Sequence, residues 1–339
     1  MKAFYITEPG KSALGDLEQP KPGPNELLLR TRLIGLCGTD LSTFRGKNPL
    51  VSYPRIPGHE IAATIIETGA EVPSDWLAGM NVTAYPNTSC GQCAACKRGR
   101  TNACKFNQTL GVQRDGAMQE YFTLPWEKAC TAKGLSLREL SLVEPLAVGF
   151  HAAARGRVTA GDTVAVIGCG AVGLGALACS VTRGATAIAI DVDDGKLELA
   201  RRAGAQHSIN SRSEAMHDRL LALSGGFGPD VMIEAVGTPA TYLMAIEEVA
   251  HTGRVVYIGW GKEPVSFDTK LFVHKELDIL GSRNYLAEFP AVIDVLLQGQ
   301  FPVEATISKT VRLSEAGEAL REWSESPHLF TKILVEVGE

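Results

Sequence analysis

Asp162-Thr-Val-Ala-Val-Ile-Gly168-Cys-Gly170-Ala-Val-Gly173 is the stretch that decides the fold of this chain. A short run rich in β-branched residues ends in the pattern G-x-G-x-x-G, and the residues from Ala171 to Thr182 are typical of a helix. The first glycine permits a tight turn, the second lets the backbone approach a pyrophosphate, and the third lets the helix pack on the sheet. The stretch therefore predicts a strand, a phosphate-binding turn and a helix whose N-terminus faces the phosphates.

A second strand follows and ends in an acid, Thr186-Ala-Ile-Ala-Ile-Asp191. Asp191 lies 18 residues after Gly173, about where a ribose-binding carboxylate belongs in such a unit. A carboxylate accepts hydrogen bonds from ribose hydroxyls and repels a 2′-phosphate, so the pattern predicts NAD rather than NADP. Lys196 is a second candidate for the same ribose. The alternatives are that Asp191 is a helix N-cap and that Lys196 is a solvated lysine.

Strands and helices continue to alternate beyond this point. Three more buried strands are indicated between residues 230 and 282, and helical stretches separate the earlier ones. Such alternation predicts a doubly wound parallel sheet over 151–285, in which ligands bind beyond the carboxyl ends of the strands. The residues expected to contact the cofactor are Gly168, Gly170, Val172, Gly173, Asp191, Lys196, Val236, Gly259 and Ser282.

The composition excludes several classes of protein. The 339 residues carry a formal charge of −5, which gives no general attraction for nucleic acid or for an anionic membrane surface. The N-terminal residues lack the apolar run of a signal peptide, and no stretch of about 20 apolar residues predicts a membrane span. We therefore expect a cytoplasmic protein in a reducing compartment, where disulfides are rare.

Four of the eight cysteines lie within fifteen residues, at positions Cys90, Cys93, Cys96 and Cys104. The spacing C-x2-C-x2-C-x7-C lets one loop supply four thiolates to a tetrahedral zinc ion, and four protein ligands make such a site structural. An iron–sulfur cluster is the main alternative, because ferredoxin-like runs also use short spacings. A nucleic-acid-binding zinc ribbon fits poorly with the acidic charge.

Residues 1–145 are rich in strand and turn signals, and three places there carry groups suited to chemistry. They are Cys37-Gly-Thr39-Asp40, Gly58-His59-Glu60 and Glu144-Pro145. A thiolate, an imidazole and a carboxylate make an open zinc site when water or substrate takes the remaining position. Taken singly, Cys37 is also typical of a buried core thiol and His59 of a hydrogen-bonded turn histidine.

These motifs, the four-cysteine loop and the glycine pattern occur in this order in zinc-dependent medium-chain dehydrogenases/reductases, which the chain resembles over nearly its whole length. Glutamate at 144 resembles their polyol and threonine dehydrogenase branch. The resemblance implies a GroES-like catalytic domain, 1–150 with 286–339, and an inserted Rossmann domain, 151–285. It places the cofactor in the cleft between them.

The same resemblance implies that Cys37 and His59 bind a catalytic zinc, with Glu60 or Glu144 as a further protein ligand. The zinc would lower the pKa of a substrate hydroxyl, and the carbon would pass a hydride to NAD. Thr39 would sit beside the substrate oxygen and start a proton relay. Many relatives have a histidine where this chain has Ser42, and serine is no base near neutral pH, so we expect this relay to end in water or another side chain.

The substrate class rests on the segment Gly281-Ser282-Arg283-Asn284-Tyr285, which follows the last predicted Rossmann strand. Arginine binds carboxylates with two parallel hydrogen bonds, and asparagine binds hydroxyls. With two other segments, Ser52–Arg55 and Gly111–Gly116, it resembles sugar-acid 5-dehydrogenases acting on aldonates such as L-galactonate or L-gulonate. The alternative for Arg283 is a bond to a backbone carbonyl, an acid or the cofactor.

The expected activity is therefore a zinc- and NAD-dependent oxidation of a secondary alcohol in a sugar acid or polyol. Threonine-type and sorbitol-type dehydrogenases are the enzymatic alternatives, and an NAD-binding sensor or structural protein is the non-enzymatic one. The family also implies a homodimer or homotetramer in which the strand Gly253–Gly259 and the neighbouring region 265–280 pair between subunits.

Overall fold

The computed structural model describes residues 1–261 and 263–338, and its contacts divide the chain into two compact units. The catalytic unit combines Met1–Glu144 with Ile307–Glu339, and the nucleotide unit is Pro145–Thr306. The predicted fold class is confirmed, because the first unit is built on a mainly antiparallel sheet and the second on a parallel one. The domain limits at 150/151 and 285/286 stay predictions.

Over these described residues the strands are β1 (Lys2–Glu8), β2 (Lys11–Asp16), β3 (Glu26–Leu36), β4 (Glu60–Thr68), β5 (Asn81–Ala84), β6 (Tyr121–Pro125), β7 (Ala129–Thr131), β8 (Thr163–Ile167), β9 (Thr186–Asp191), β10 (His207–Asn210), β11 (Val231–Glu234), β12 (Arg254–Tyr257), β13 (Asp278–Gly281), β14 (Ile307–Arg312) and β15 (Lys332–Glu336). The α-helices are α1 (Gly38–Phe44), α2 (Ala94–Lys97), α3 (Leu137–Arg155), α4 (Ala171–Thr182), α5 (Asp194–Arg202), α6 (Met216–Leu223), α7 (Pro239–Glu248), α8 (Lys270–His274), α9 (Phe289–Leu297), α10 (Val303–Thr306) and α11 (Ala316–Glu325).

The nucleotide unit contains six parallel strands in the order β10-β9-β8-β11-β12-β13. The chain starts this sheet at its centre with β8 and adds strands outward in both directions, which is the Rossmann order. Val164, Ala165 and Val166 of β8 are fully buried, as expected for a strand covered on both faces. The order reverses between β8 and β11, and ligands bind at that point in open α/β sheets.

In the catalytic unit, β3 is the central strand of a seven-stranded sheet. It pairs antiparallel with β4 on one side and with β15 on the other. The register places Gly35 opposite Glu60 and Leu36 opposite Ile333. Three segments distant in the sequence therefore meet at the end of β3, where Cys37 follows.

The chain passes from one unit to the other within α3, and Pro145 lies inside this helix. No helix in the described ranges has the length and apolar character needed to cross a membrane.

Candidate active site

The four-cysteine loop forms a compact sulfur cluster. The Sγ atoms of Cys90, Cys93, Cys96 and Cys104 all lie within 4.8 Å of one another. Cys93 Sγ is 3.6 Å from Cys96 Sγ and 3.9 Å from Cys104 Sγ. A tetrahedral ion with Zn–S bonds of about 2.3 Å requires sulfur separations of about 3.8 Å. The geometry therefore fits one zinc ion, whereas an iron–sulfur cluster spreads its thiolates over several irons.

Backbone amides prepare this loop for thiolates. Cys93 N donates to Cys90 Sγ, and Cys90 N and Phe106 N donate to Cys104 Sγ, each at 3.3 Å. Amides of Cys96 and Lys105, the largest influences, lower the pKa of Cys93 to about 6. Hydrogen bonds to the charged form favour thiolate, which is the form that binds zinc.

The predicted zinc ligands Cys37, His59 and Glu144 lie near one another in the catalytic unit, with His59 and Glu144 buried and Cys37 half-buried. Burial alone would lower the pKa of His59. The charges of Cys37, Asp40 and Glu144 and a hydrogen bond with Cys37 outweigh burial, so the pKa of His59 is raised well above its ordinary value. Burial raises the pKa of Glu144 to about 7, and Glu60 and Asp40 add to this while His59 and Lys332 oppose it. Anionic groups concentrated in a buried place favour a cation.

The donors fit zinc in kind: a thiol, an imidazole and a carboxylate. His59 Nδ1 is buried without a hydrogen bond in the described chain and lies 3.9 Å from Asp40 Oδ1. Within residues 1–261 and 263–338, the four-cysteine cluster alone brings three or more His, Cys, Asp or Glu ligand atoms within 4.8 Å of one another. The donors of the catalytic set stand farther apart, and their role as ligands stays a prediction.

Asp40 joins the two ligand-bearing segments, a role that the sequence did not indicate. Its carboxylate is fully buried and accepts hydrogen bonds from Cys37 N at 2.9 Å and Gly58 N at 3.4 Å. It also faces His59 Nδ1, as acids commonly do behind a metal-binding histidine.

Replacing Asp40 with asparagine is expected to weaken zinc binding at Cys37 and His59 by about 10- to 100-fold. The amide loses one of the two acceptor oxygens, so one ligand-bearing segment loses its anchor. Competition with a chelator of known affinity measures the loss. The control is Asp16→Asn, at an exposed carboxylate bonded to Lys2. Equal zinc affinity in both variants would contradict the role of Asp40.

Glu60, the other candidate ligand, is paired with a lysine. Lys332 Nζ donates to Glu60 Oε1 at 2.7 Å and to Oε2 at 2.6 Å. Burial would lower the pKa of Lys332, but the charges of Glu60 and Cys37 outweigh it and raise that pKa, so the side chain is an ammonium ion.

The glycine turn of the nucleotide unit has the tight geometry that the sequence predicts, and its role in binding a cofactor stays a prediction. Gly168 has φ +94°, and a side chain on Gly173 would lie 1.8 Å from Gly168 O, so helix α4 packs closely on the turn. Gly170 is the N-cap of α4, and a Cβ there would meet nothing within 4 Å. This open space beside a helix N-terminus suits a phosphate.

Asp191 ends β9 beside this turn. Its Oδ2 accepts from Cys169 N at 2.8 Å and its Oδ1 from Val192 N at 2.7 Å. The N-cap of α5 is Asp193, whose side chain accepts a hydrogen bond from Lys196 N at 2.9 Å. Asp191 is therefore not the N-cap of this helix. Its carboxylate is fixed at the carboxyl edge of the sheet, where a ribose would bind.

Glu234, which the sequence did not single out, organises the loops after β11 and β12. This fully buried carboxylate accepts from Val236 N at 2.8 Å and Gly237 N at 2.7 Å. Its Oε2 would lie 2.5 Å from a Cβ on Gly259, which explains the glycine there. The only sequence signal was an acid inside a buried strand. Val236 and Gly259 remain predicted cofactor contacts.

Ser282, a predicted cofactor contact, and Arg283 and Asn284, the predicted substrate residues, follow β13. Ser282 N donates to Tyr257 O at 2.9 Å, and the Ser282 hydroxyl is buried without a hydrogen bond in the described chain. Arg283 is exposed, and Asn284 adopts a left-handed backbone with φ 49°. The roles of Ser282, Arg283 and Asn284 stay predictions.

A Rossmann unit and a GroES-like unit whose motifs carry a thiol, an imidazole and a carboxylate are the architecture of a zinc-type oxidoreductase. Residues 23–134 match the alcohol dehydrogenase GroES-like domain, and residues 171–298 match the zinc-binding dehydrogenase family. L-galactonate-5-dehydrogenase of Escherichia coli (strain K12) is 32% identical over 321 residues, 91% of this chain and 94% of that protein.

Sorbitol dehydrogenase of Bacillus subtilis (strain 168) is 30% identical, covering 99% of this chain and 97% of its own. A Sinorhizobium meliloti 1021 structure, described as a zinc-binding dehydrogenase bound to NADP, has a TM-score of 0.91 and 28% identity, covering 99% of this chain and 98% of that one. The chain belongs to the zinc-dependent alcohol dehydrogenases of the medium-chain superfamily, in their polyol dehydrogenase branch, and is an enzyme of that family.

Proposed function

We propose that this enzyme transfers a hydride from a secondary alcohol of an aldonate, such as L-galactonate or L-gulonate, or of a polyol to NAD, giving a ketone. The observation that supports the proposal is that the buried Asp40 carboxylate accepts a hydrogen bond from Cys37 N at 2.9 Å and lies 3.9 Å from His59 Nδ1, which brings these two segments together near Glu144. Cys37, His59 and Glu144 would hold a catalytic zinc, and the four-cysteine loop a structural one. When bound, the zinc supplies Lewis acidity to the substrate oxygen, and NAD accepts the hydride.

Thr39 is placed to handle the hydroxyl proton. It lies in the first turn of α1, two residues after Cys37, and is half-buried. Its hydroxyl would accept the proton from the substrate and pass it toward solvent. Ser42, half-buried on the same helix, offers no base for this route. A relay ending in water or in another side chain is therefore expected.

The preference for NAD rests on Asp191. The Sinorhizobium meliloti structure contains NADP and a related Escherichia coli CFT073 structure contains NADH, so proteins of this fold bind either nucleotide. In this chain, the fixed carboxylate at the end of β9 would repel a 2′-phosphate. It would also accept hydrogen bonds from both ribose hydroxyls.

Replacing Asp191 with asparagine is expected to lower kcat/KM for NAD by roughly 10- to 100-fold. This factor corresponds to the loss of a hydrogen bond to a charged group, which contributes about 1.5–3 kcal/mol. The value for NADP should fall less or rise. Steady-state rates with both nucleotides measure this. The control is Asp194→Asn, an acid three residues away on α5 that bonds Asn210. An unchanged nucleotide ratio in Asp191→Asn would contradict the assignment.

The aldonate substrate is supported by the 32% identity to L-galactonate-5-dehydrogenase and by the predicted role of Arg283. The test is NADH formation by the zinc-loaded enzyme with matched pairs of aldonate and polyol. A carboxylate contact is supported if the wild-type enzyme oxidises aldonates and Arg283→Ala lowers kcat/KM at least tenfold for aldonates but not for polyols. Oxidation of polyols alone makes the activity sorbitol-type, and oxidation of L-threonine makes it threonine-type. Binding of NAD with no turnover of any of these would favour a sensor or structural protein.

We further propose a homodimer or homotetramer in the cytoplasm. One of the two outermost strands of the parallel sheet is β13, whose Ile279 is 40% exposed, and Val273 of α8, the helix before it in the chain, is 84% exposed. An apolar edge strand is a place where a second copy adds on. Ile279→Lys should lower the mass measured by light scattering, whereas Ile66→Lys, at a similarly exposed position of β4, should not. A monomeric wild-type enzyme would contradict this proposal.

The cytoplasmic location is supported by the eight unpaired cysteines, which suit a reducing compartment.

A further inference from the structure

Two half-buried cations of the catalytic unit have no acidic partner. Arg114 lies in the loop before β6, and Lys128 lies immediately before β7. Across residues 1–261 and 263–338, neither side chain makes an ion pair or a hydrogen bond, and Arg114 Nε is buried. A guanidinium stays charged at any ordinary pH, and a charge withdrawn from water without a partner is costly. The arrangement destabilises the folded chain unless an anion compensates for it.

The sheet register places Lys128 beside Tyr85. β5 and β7 pair antiparallel with Ala84 opposite Ala129, and Tyr85 N donates to Lys128 O at 2.8 Å, which continues the ladder by one residue. Residues directly opposite each other in an antiparallel pair point to the same face. The side chains of Lys128 and Tyr85 therefore lie side by side, and alternation along β5 places Thr83 on the same face.

The turn that carries Arg114 is fastened next to Tyr85. Leu110 N donates to Pro86 O at 3.0 Å, which ties the start of the turn to the residue after Tyr85. Gly111 N donates to Arg114 O at 2.8 Å and closes the turn. Two segments distant in sequence thus bring Arg114 to the strand pair that carries Lys128.

The electrostatics of the two cations agree with this placement. Burial lowers the pKa of Lys128, and the positive charge of Arg114 lowers it further, while the neighbouring Glu127 opposes the shift. Burial also lowers the pKa of Arg114. A closely paired acid would raise both pKa values, so the compensating negative charge is one that the described chain does not itself supply.

We propose that Arg114 and Lys128, with the face of β5 that carries Thr83 and Tyr85, form a binding site for a phosphate-type oxyanion, either free phosphate or the phosphoryl group of a small metabolite. A guanidinium offers a planar fork of donors and an ammonium a point charge, and both are common phosphate ligands. Two cations balance a phosphate dianion, whereas a carboxylate carries only one charge. The Thr83 hydroxyl is fully buried and has no hydrogen bond within the described chain, so it provides a further donor.

The test is calorimetric titration of inorganic phosphate into the full chain with zinc and NAD bound, so that the glycine turn is already occupied. We expect one phosphate per chain with a Kd of about 1 mM or below, and binding of acetate at least about tenfold weaker. Glycerol 3-phosphate distinguishes the two sources. Tighter binding than phosphate identifies the phosphoryl group of a metabolite as the ligand, and weaker binding identifies free phosphate.

Lys128→Gln and Arg114→Gln should each weaken phosphate binding by roughly 10- to 100-fold, which corresponds to the loss of one hydrogen bond to a charged group. The matched control is Lys133→Gln, at an exposed lysine of the loop after β7, and it should keep the wild-type affinity. Because binding is measured without turnover, a failure of the proposed activity leaves this result interpretable.

Thermal unfolding separates a binding site from a purely structural pair of cations. In a buffer without phosphate or sulfate, Lys128→Gln should have a Tm equal to or above that of the wild type, because it removes an uncompensated charge. With phosphate present the order should reverse, because a ligand that binds only the folded chain raises its Tm.

The proposal is overturned if the wild type binds no phosphate in the millimolar range or binds acetate as tightly as phosphate. It is also overturned if Lys128→Gln and Arg114→Gln bind phosphate as the wild type does. A lower Tm of Lys128→Gln in the absence of phosphate would show that the ammonium already has a partner in the chain, and it would overturn the proposal as well. Arg114→Gln keeps the binding test decisive if Lys128→Gln does not fold.

Discussion

Cys37→Ser is expected to lower kcat/KM by about a thousandfold or more and to remove one of two zinc ions per chain. A thiolate is a strong zinc ligand, and a serine hydroxyl is protonated near neutral pH and binds zinc poorly. Loss of the metal removes several kcal/mol of charge stabilisation at the substrate oxygen. About 4 kcal/mol corresponds to a factor of roughly a thousand in rate. Zinc analysis and initial rates measured on the same sample check both effects.

The matched control is Cys130→Ser. Cys130 is a half-buried thiol on β7, outside both proposed metal sites, and its pKa is raised by burial. This variant should keep two zinc ions and most of the activity. If Cys37→Ser also kept both, Cys37 would be a core thiol and the catalytic site would have to lie elsewhere.

Cys93→Ser should have the second largest effect, and it should act on stability. Cys93 Sγ lies 3.6 Å from Cys96 Sγ and 3.9 Å from Cys104 Sγ, so its loss opens the tetrahedral set. Structural zinc contributes binding free energy directly to folding. A loss of about 3 kcal/mol would lower Tm by roughly 6–12 °C. Calorimetry measures the shift, and limited proteolysis should cut the opened loop between residues 88 and 108.

Cys130→Ser again provides the comparison, with Tm close to the wild-type value. Because the loop lies apart from Cys37 in sequence, the catalytic zinc should remain in Cys93→Ser. A Cys93→Ser protein with two zinc ions and an unchanged Tm would contradict a zinc role for the four cysteines.

The fold was predictable because its signals are local. The glycine pattern, the alternation of strands and helices and Asp191 at the end of β9 all depend on residues close in sequence. One strand, β10, was missed, because His207-Ser-Ile-Asn210 is short and half polar. Glu234 was missed because its contacts with Val236 and Gly237 follow from the turn after β11 and from no sequence pattern.

The catalytic region was only partly predictable. Cys37, His59 and Glu144 were identified through motifs, but the choice between Glu60 and Glu144 stayed open. The ion pair of Glu60 gave no sequence signal either, because its partner Lys332 lies 272 residues away and is brought there by the pairing of β15 with β3. Strand pairing over such a distance is set by the whole sheet, so a single sequence gives no local signal for the ion pair.

The most direct test of the central claim follows zinc content and NADH formation together while a chelator removes zinc from the wild-type enzyme. The open site should lose its ion before the closed four-cysteine site. We predict that NADH formation from an aldonate or polyol falls in proportion to the first zinc lost and returns when zinc is restored. Full activity after loss of one zinc per chain would contradict a catalytic metal at Cys37, His59 and Glu144.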